Sequence, residues 1–463
     1  MRRMLLTLLA LWLPATVALA GESADRVHEY RLDNGLRLIV KEDHRAPVVV
    51  SQVWYRVGSS YEHDGITGIS HVLEHMMFKG TERFGPGEFS RIIAENGGRE
   101  NAFTSRDYTA YFQRLEKSRL AIAFELEADR MRNLRLDPEE VKKEVKVVME
   151  ERRLRTEDNP QALTFEQFNA TAFLNSPYRI PTIGWMDDLE NLKIEDLQAW
   201  YEKWYAPNNA ILVVAGDVDP QAVLALAKKH YGPLRPSRIE PPKPRREMVQ
   251  RGERRIRVRV PAELPYILMG YKVPVVLTAE GDWEPYALEV AAGILDGGNS
   301  ARLARELVRG QEVAASAGAG YDLYDRQESL FLLDGTPANG HDIAELEKAL
   351  REQVRRLQTR PVTADELARV KAQVLAGAVF EEDSVFYQAM RIGRLVSVGL
   401  DWRLDEQYAD RIRAVTPEQV QAVARKYLRD ERLTVAVLDP LPMDAEMRAR
   451  ARAAQMRGGA HGH

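Results

Sequence analysis

The 463-residue sequence contains no cysteine. This absence excludes disulfide bonds, thiolate metal ligands and thioether-linked lipid anchors. Any transition metal must therefore be bound by histidine and carboxylate side chains. A chain of this length can stabilise itself by core burial alone, so export without disulfides is physically feasible.

A strong excess of charge of one sign is also lacking, because 65 Lys and Arg residues face 69 Asp and Glu residues, for a formal net charge of −4. The sequence therefore shows no broad electrostatic attraction to nucleic acid, which is not a predicted partner. The hydrophobic fraction of 45% and charged fraction of 29% are typical of a soluble globular protein. Single cores usually stop growing at about 250–300 residues, so we expect at least two domains.

The sequence has no apolar run of the roughly 20 residues that a spanning helix needs. Its most apolar N-terminal run, residues 4–13, follows two arginines and is ended by Pro14. Ala18 and Ala20 are small residues at the spacing of a cleavage site, so residues 1–20 are predicted to be a secretory signal peptide. A membrane anchor is the alternative. We predict a bacterial periplasmic protein without stable membrane insertion after signal removal.

Two segments of the chain resemble each other. The pattern at residues 195–204, with the strand-like residues 211–214 after it, resembles residues 418–427 and 434–437, an offset of 223 residues (418 − 195). We infer an α+β fold of two homologous halves, each a mixed, mostly antiparallel sheet packed with helices. Coincidence between two amphipathic helix-strand units is the alternative.

A proline-rich segment near the middle of the chain separates these halves, because such segments stay extended and cannot join a sheet interior. The predicted domains are residues 21–235 and 251–442, with a linker at 236–250 and a disordered, Arg- and Ala-rich tail at 443–463. Within the first domain, helical periodicity is predicted to start near Ile69, Gly87 and Leu115.

The pattern His71-Val-Leu-Glu74-His75 carries the chemistry. Residues four apart on a helix share one face, so His71 and His75 can present two imidazoles to one metal ion. Glu74 lies beside them, where its carboxylate can act as the catalytic base. This is the inverted order of the His-Glu-x-x-His zinc motif. The alternative is a helix with two hydrogen-bonded histidines and a solvated acid.

A catalytic zinc site needs three protein ligands and one open position. The helix predicted to begin at Asp137-Pro138 supplies candidates, since Glu144 and Glu151 lie on a stripe shared with valines. Glu150 lies about a hundred degrees away around the helix. Without the histidine pair, these acids would be interpreted as a solvated face.

Together, His71-x-x-Glu74-His75 and the downstream Glu144 and Glu151 resemble the pitrilysin/insulinase family of inverzincin zinc peptidases, which includes the mitochondrial processing peptidase. The sequence looks like a bacterial member. The resemblance implies a clamshell that binds one Zn²⁺ through His71, His75 and Glu151, with Glu144 supporting the site and Glu74 as general base. It favours Glu151 over Glu150, because Glu151 stands 76 residues after His75 (151 − 75).

The resemblance runs from about residue 30 to residue 439 and includes a segment similar to the family's edge strand. There, Asn101 and Ala102 are expected to bind an extended substrate by main-chain pairing. Family members also place an Arg and a Tyr, seven residues apart, in the second half. Val308 and Ala315 stand at those places here, and Arg309 is one position off.

This departure suggests a two-subunit arrangement. We expect a homologous partner subunit that carries the missing Arg and Tyr, or a homodimer. The predicted function is a zinc-dependent endopeptidase acting on peptides or unfolded segments. The alternatives are a non-catalytic scaffold or assembly subunit of the same fold, and a metal-binding protein without hydrolytic activity. Zinc is inferred from the ligand types, which related divalent ions also accept.

Overall fold

A computed structural model of the chain describes residues 26–240 and 242–445. The predicted signal peptide, and the part of the predicted tail beyond residue 445, lie outside these residues. None of the helices in the described ranges has the length and apolar character that a membrane span requires.

The first half is built around a six-stranded sheet. Its strands are β1 (Val27–Arg31), β2 (Arg37–Glu42), β3 (Val48–Tyr55), β4 (Arg99–Thr104), β5 (Thr109–Glu116) and β6 (Ala210–Gly216). They lie in the order β1-β2-β6-β3-β5-β4, antiparallel except for the parallel pair β2–β6. The central strands β3 and β6 are almost wholly buried, and their sequences are apolar except for Ser51 and Gln52 of β3. Strand β4 forms one edge.

The second half repeats this arrangement with five strands. They are β7 (Arg254–Pro261), β8 (Tyr266–Val273), β9 (Ala314–Gly320), β10 (Ser329–Pro337) and β11 (Leu433–Leu441). Their order β7-β11-β8-β10-β9 matches β2-β6-β3-β5-β4, including one parallel pair. Strand β6 begins at residue 210 and β11 at residue 433, so the 223-residue offset is present in the structure (433 − 210). The predicted α+β fold with two homologous halves is confirmed.

Helices cover both sheets. The first half contributes α1 (Ile69–Met76), α2 (Glu88–Glu95), α3 (Leu120–Asn133), α4 (Pro138–Arg152), α5 (Pro160–Ala172), α6 (Met186–Asn191), α7 (Ile194–Trp204) and α8 (Pro220–His230). The second contributes α9 (Glu284–Asp296), α10 (Ile343–Thr359), α11 (Ala364–Glu382), α12 (Val385–Val398), α13 (Leu404–Ala414) and α14 (Pro417–Tyr427). Helices α7 and α14 are the two segments that resemble each other in sequence.

The helix predicted to start near Leu115 begins later, at Leu120, so that prediction was wrong. Leu115 belongs to β5, where buried and exposed side chains alternate and the backbone pairs with β3. The alternation with a period of two over these residues indicates a strand. The charged residues of the same run made this alternation hard to distinguish from the helical pattern that follows.

One helix of each half packs on the sheet of the other half. Helix α5 of the first half packs on β7, β8 and β11, whereas α12 of the second half packs on β3 and β6. Glycine permits close approach at both contacts. A Cβ on Gly270 of β8 would lie 2.5 Å from Phe168 of α5, and a Cβ on Gly393 of α12 would overlap Trp54 of β3. The exchange holds the two halves against each other.

The predicted linker, residues 236–250, has no helix or strand in its described part. It is nevertheless anchored, because the Glu247 carboxylate accepts hydrogen bonds from the backbone N–H groups of residues 174–176 and from Lys272 Nζ at 2.8 Å. Residues 174–176 belong to the first half and Lys272 to the second. The domain boundaries themselves stay predictions.

Candidate active site

The N-terminus of α1 is held in place by two glycines and a buried carboxylate. Gly68 has a φ of 86° and packs against Gly184, where a side chain on either residue would collide with backbone atoms. The Glu62 carboxylate accepts hydrogen bonds from the N–H groups of Gly68 (2.8 Å) and Ser70 (2.9 Å). These N–H groups have no partner inside the helix, so Glu62 satisfies them. Burial raises the pKa of Glu62 to about 7.

Helix α1 faces α4, and their contact brings together three of the predicted residues. Ligand atoms of His71, His75 and Glu151 all lie within 4.8 Å of one another. The Nε2 atom of His71 is 3.8 Å from one Glu151 oxygen, and the Nε2 atom of His75 is 3.5 Å from the other. Two imidazole nitrogens and one carboxylate are the donor set of many catalytic zinc sites, so these residues fit the predicted metal.

The neighbouring acid Glu150 does not join this cluster. Its side chain is 65% exposed and pairs with Arg153 one turn along the helix. The geometry therefore brings Glu151, and not Glu150, to the histidines.

Glu144 contacts His75 through the ring nitrogen that does not face the cluster. One of its carboxylate oxygens lies 2.9 Å from Nδ1 of His75, and the other pairs with Lys79. A carboxylate on Nδ1 fixes the ring orientation and leaves Nε2 to face the ligand position. His71 differs, because its buried Nδ1 has no hydrogen-bond partner in the described part of the chain.

The electrostatics of the cluster favour protonation of one of the two imidazoles. Burial opposes the protonation of His75, but hydrogen bonds to Glu144 and Glu151 raise its pKa to about 9. The pKa of His71 is lowered by burial and by the adjacent His75. Burial also works against the ionised form of Glu151, yet the hydrogen bond with His75 and the charge of His71 hold its pKa below the ordinary value. A metal cation can replace this single proton.

Glu74 lies beside the cluster but outside it. Its Oε2 atom accepts a hydrogen bond from the Thr104 hydroxyl at the end of β4. Burial raises the pKa of Glu74, and the Thr104 bond opposes this shift. A buried carboxyl with a raised pKa is suited to accept and return a proton near neutral pH. No role was predicted for Thr104, although this residue lies in the segment that is similar to the family's edge strand.

The cluster opens into a cleft of about 900 Å³. Asn101 and Ala102, for which substrate binding is predicted, line it on the edge strand β4, which pairs with β5 on its other side. Several other lining residues had no predicted role. They come from β4 and the loop after it, from the π-helical turn after α4 (Arg153–Glu157), from α5 and from the segment that follows α5, and include Phe103, Arg106, Arg155, Phe165, Tyr178, Arg179 and Ile183. Every lining residue belongs to the first half.

The second half does not supply the expected Arg and Tyr to this cleft. Val308 ends a π-helical turn (Leu303–Val308) and packs against the second core, and Ala315 lies in β9. Arg309 is exposed and donates a hydrogen bond to the Asn299 carbonyl. The Tyr321 hydroxyl donates to the Pro274 carbonyl at 2.6 Å.

The fold and the site define a protein of two related halves, with an inverted His-x-x-Glu-His motif and a candidate metal centre in its first half. Residues 37–184 match the family model described as "Insulinase (Peptidase family M16)", and residues 191–374 match "Peptidase M16 inactive domain". The chain belongs to the M16 peptidase family.

Individual relatives agree with this assignment. The chain is 32% identical over 415 residues to the zinc protease PqqE of Helicobacter pylori, covering 88% of this chain and 92% of that protein. It is 26% identical to the uncharacterized zinc protease YmxG of Bacillus subtilis, covering 89% of this chain and 98% of that protein.

Solved structures show the same fold. A protease from Helicobacter pylori superposes with a TM-score of 0.85 at 30% identity, covering 89% of this chain and 99% of that one. A peptidase M16 inactive domain from Pseudomonas fluorescens superposes with a TM-score of 0.80 at 16% identity, covering 90% of this chain and 100% of that one. The second likeness concerns the fold alone.

Proposed function

We propose that the chain is a zinc-dependent endopeptidase that hydrolyses peptides or unfolded segments. The observation that carries this proposal is the convergence of His71, His75 and Glu151 beside the buried Glu74, at the base of a cleft bordered by an edge strand. An edge strand pairs with an extended chain, so substrates without fixed structure fit this cleft best.

In this mechanism His71, His75 and Glu151 would hold one Zn²⁺, and Glu144 orients His75 through Nδ1. Zinc, when bound, supplies Lewis-acid polarisation of the scissile carbonyl and acidifies a water molecule. The Glu74 carboxylate takes the proton from the attacking water and later returns it to the leaving amine. Because the Thr104 hydroxyl donates to Oε2, Oε1 is the atom of Glu74 that holds this proton. Residues of β4 hold the substrate backbone in line.

The test compares wild type with Glu74→Gln and with Glu289→Gln, which changes the carboxyl at the equivalent position of the second half. Zinc content is measured by atomic emission and cleavage with internally quenched peptides. We expect Glu74→Gln to retain zinc and to lose cleavage by about 10²–10⁴-fold, the usual contribution of general acid–base catalysis. Glu289→Gln should keep both zinc and cleavage.

Unchanged cleavage in Glu74→Gln would refute the assigned base. Bound zinc without cleavage by wild type, alone or with a partner, would favour the scaffold or metal-binding alternatives.

We also propose that a homologous partner subunit, or a second copy of the chain, completes the site, because none of the described residues of the second half lines the cleft. Purification from the native cell of this chain alone, fully active on peptides as a monomer, would contradict this proposal. Export to the periplasm by residues 1–20 is proposed from the sequence pattern. N-terminal sequencing of the mature protein from a periplasmic extract tests it.

A further inference from the structure

The loop that follows β4 at the cleft is held rigidly at its backbone. The N–H groups of Ser59 and Ser60 donate to the carbonyls of Ser105 (3.2 Å) and Arg106 (2.8 Å). Gly58 makes this approach possible, since a Cβ there would lie 2.8 Å from the Arg106 carbonyl oxygen. The position of Arg106 is therefore set by hydrogen bonds to a neighbouring segment.

Asp107, the next residue, is directed into the protein. Its buried carboxylate accepts hydrogen bonds from the Ser60 hydroxyl at 2.7 Å, from Arg326 Nε at 2.9 Å and from the Tyr178 hydroxyl. Arg326 comes from the second half, so this network joins the halves behind the cleft wall. Arg106 lines the cleft, and its guanidinium lies 5.0 Å from the centre of the Tyr178 ring.

Three arginines line the cleft, and their partners differ. Arg179 donates two hydrogen bonds to Asp64, at 2.7 and 2.9 Å, and Arg155 pairs with Glu151 at 2.6 Å. In the described ranges no carboxylate forms an ion pair with Arg106. The charge of Arg106 is felt by Asp325, whose pKa is nevertheless raised to about 7 by burial and by Asp322. Arg106 thus differs from Arg155 and Arg179 in having no carboxylate within ion-pair distance among the described residues.

We propose that Arg106 binds a carboxylate of the extended substrate and makes the cleft selective for an acidic residue on one side of the scissile bond. This inference rests on the proposed peptidase function. Arg106 lies in the loop after β4, two residues beyond Thr104, the contact of Glu74, and two residues span at most about 7 Å of chain. The residue that Arg106 recognises is therefore expected within about four positions of the bond that is cleaved.

The test uses quenched peptides in which one Asp is moved through three or four positions on either side of the scissile bond, with Asn as the matched neutral residue. We expect wild type to prefer Asp over Asn in kcat/KM at one position by about ten-fold, as charge-assisted hydrogen bonds allow. Arg106→Gln should abolish this preference and Arg106→Lys should retain part of it. Arg179→Gln, in the same cleft, should leave it intact.

Peptides with free and amidated C-termini distinguish an acidic side chain from a terminal carboxylate as the bound group. Preference for the free acid alone would reassign the source to the terminus. Equal rates for Asp and Asn at every position, or a preference that survives in Arg106→Gln, would overturn the proposal. Zinc content and Tm of each variant report whether it folds.

Binding separates this inference from the proposed function. Zinc-loaded Glu74→Gln protein, which does not turn substrate over, is titrated into fluorescein-labelled Asp and Asn peptides and followed by anisotropy. We expect about ten-fold tighter binding of the Asp peptide, lost when Arg106→Gln is added. Equal affinities would overturn the Arg106 assignment alone, whereas no binding of either peptide would overturn it together with the peptidase proposal.

Discussion

Each half contains a corresponding pair of helices, α1 and α4 in the first half and α9 and α11 in the second. The residues at matching positions of the two pairs differ. Helix α1 starts at residue 69 and α9 at residue 284, an offset of 215 (284 − 69), which pairs Glu74 with Glu289. By the same offset, Tyr286 and Val290 stand where His71 and His75 lie in the first half.

The second helix of each pair shows the same contrast. Helices α4 and α11 start 226 residues apart (364 − 138), so Val370 and Gly377 take the places of Glu144 and Glu151. Val370 packs directly against Gly293 of α9, which makes this contact apolar. The second-half pair therefore packs without polar side chains at these two positions, so packing of such a helix pair does not itself require the acids of the first half.

Glu289 is the one carboxyl kept in both halves, and its surroundings differ from those of Glu74. It is half-buried, with its Oε2 atom enclosed, and accepts a hydrogen bond from the Tyr408 hydroxyl at 2.6 Å. Among the described residues no histidine lies beside it. Burial raises the pKa of Glu289 to about 7. A buried acid alone does not make a catalytic site; the neighbouring imidazoles and the third ligand do.

The largest effect is expected at Glu151, the predicted third metal ligand. Glu151→Gln should reduce zinc affinity by more than the roughly 10–100-fold that follows loss of an outer-sphere partner, because it removes a ligand itself. Isothermal titration with zinc, after chelation and desalting, measures the change. Glu150→Gln on the same helix is the control and should bind zinc as wild type does. Equal effects of the two variants would mean that the ligand set is wrongly assigned.

The reciprocal exchange of α5 and α12 can be tested at its glycines. Gly393→Ala should destabilise the protein by about 1–3 kcal/mol, since the added methyl overlaps the Trp54 ring in a packed interface. At Gly377, in the interior of α11, a Cβ meets nothing within 4 Å. Gly377→Ala should therefore stabilise by up to about 1 kcal/mol through helix propensity. Urea unfolding of both variants gives the two signs, and a stabilised Gly393→Ala would show that α12 does not pack on β3 as described.

A smaller effect is expected on the pH dependence of stability, and it arises from Glu289, the counterpart of Glu74 in the second half. The folded pKa of Glu289 is raised from 4.5 to about 7, so its protonated form stabilises the fold below about pH 4.5 and this contribution is lost as pH rises through 7. Glu289→Gln lacks the titration. Relative to wild type, the variant should gain stability between pH 5 and pH 8, at about 1.4 kcal/mol for each unit of pKa shift.

Thermal or urea unfolding of both proteins across this range measures the difference. A constant difference at all pH values would mean that Glu289 is not buried as an acid. Unchanged zinc content in the same samples would confirm that this carboxyl lies outside the metal site.

Much of the site was predictable because it is local. The four-residue spacing of His71 and His75 sets them on one helical face, and the Asp137-Pro138 start of α4 was recognisable from its cap, which the Asp137 side chain forms with Glu139 and Glu140. The 223-residue repeat also predicted the two related halves. The strand at Leu115 was missed because its alternation was read as part of the helical run that follows.

Residues a few positions apart were enough to predict the starts of α1 and α4, the cap of α4 and the pair of imidazoles, and the internal repeat indicated two related halves. The family resemblance favoured Glu151 over Glu150, and the packing of α1 on α4 brings Glu151 to the histidines. The contact between Thr104 and Glu74 and the position of Arg106 in the cleft came from the folded structure alone. Those contacts join residues tens of positions apart. They depend on how α1, α4 and β4 pack against one another, which local periodicity does not encode.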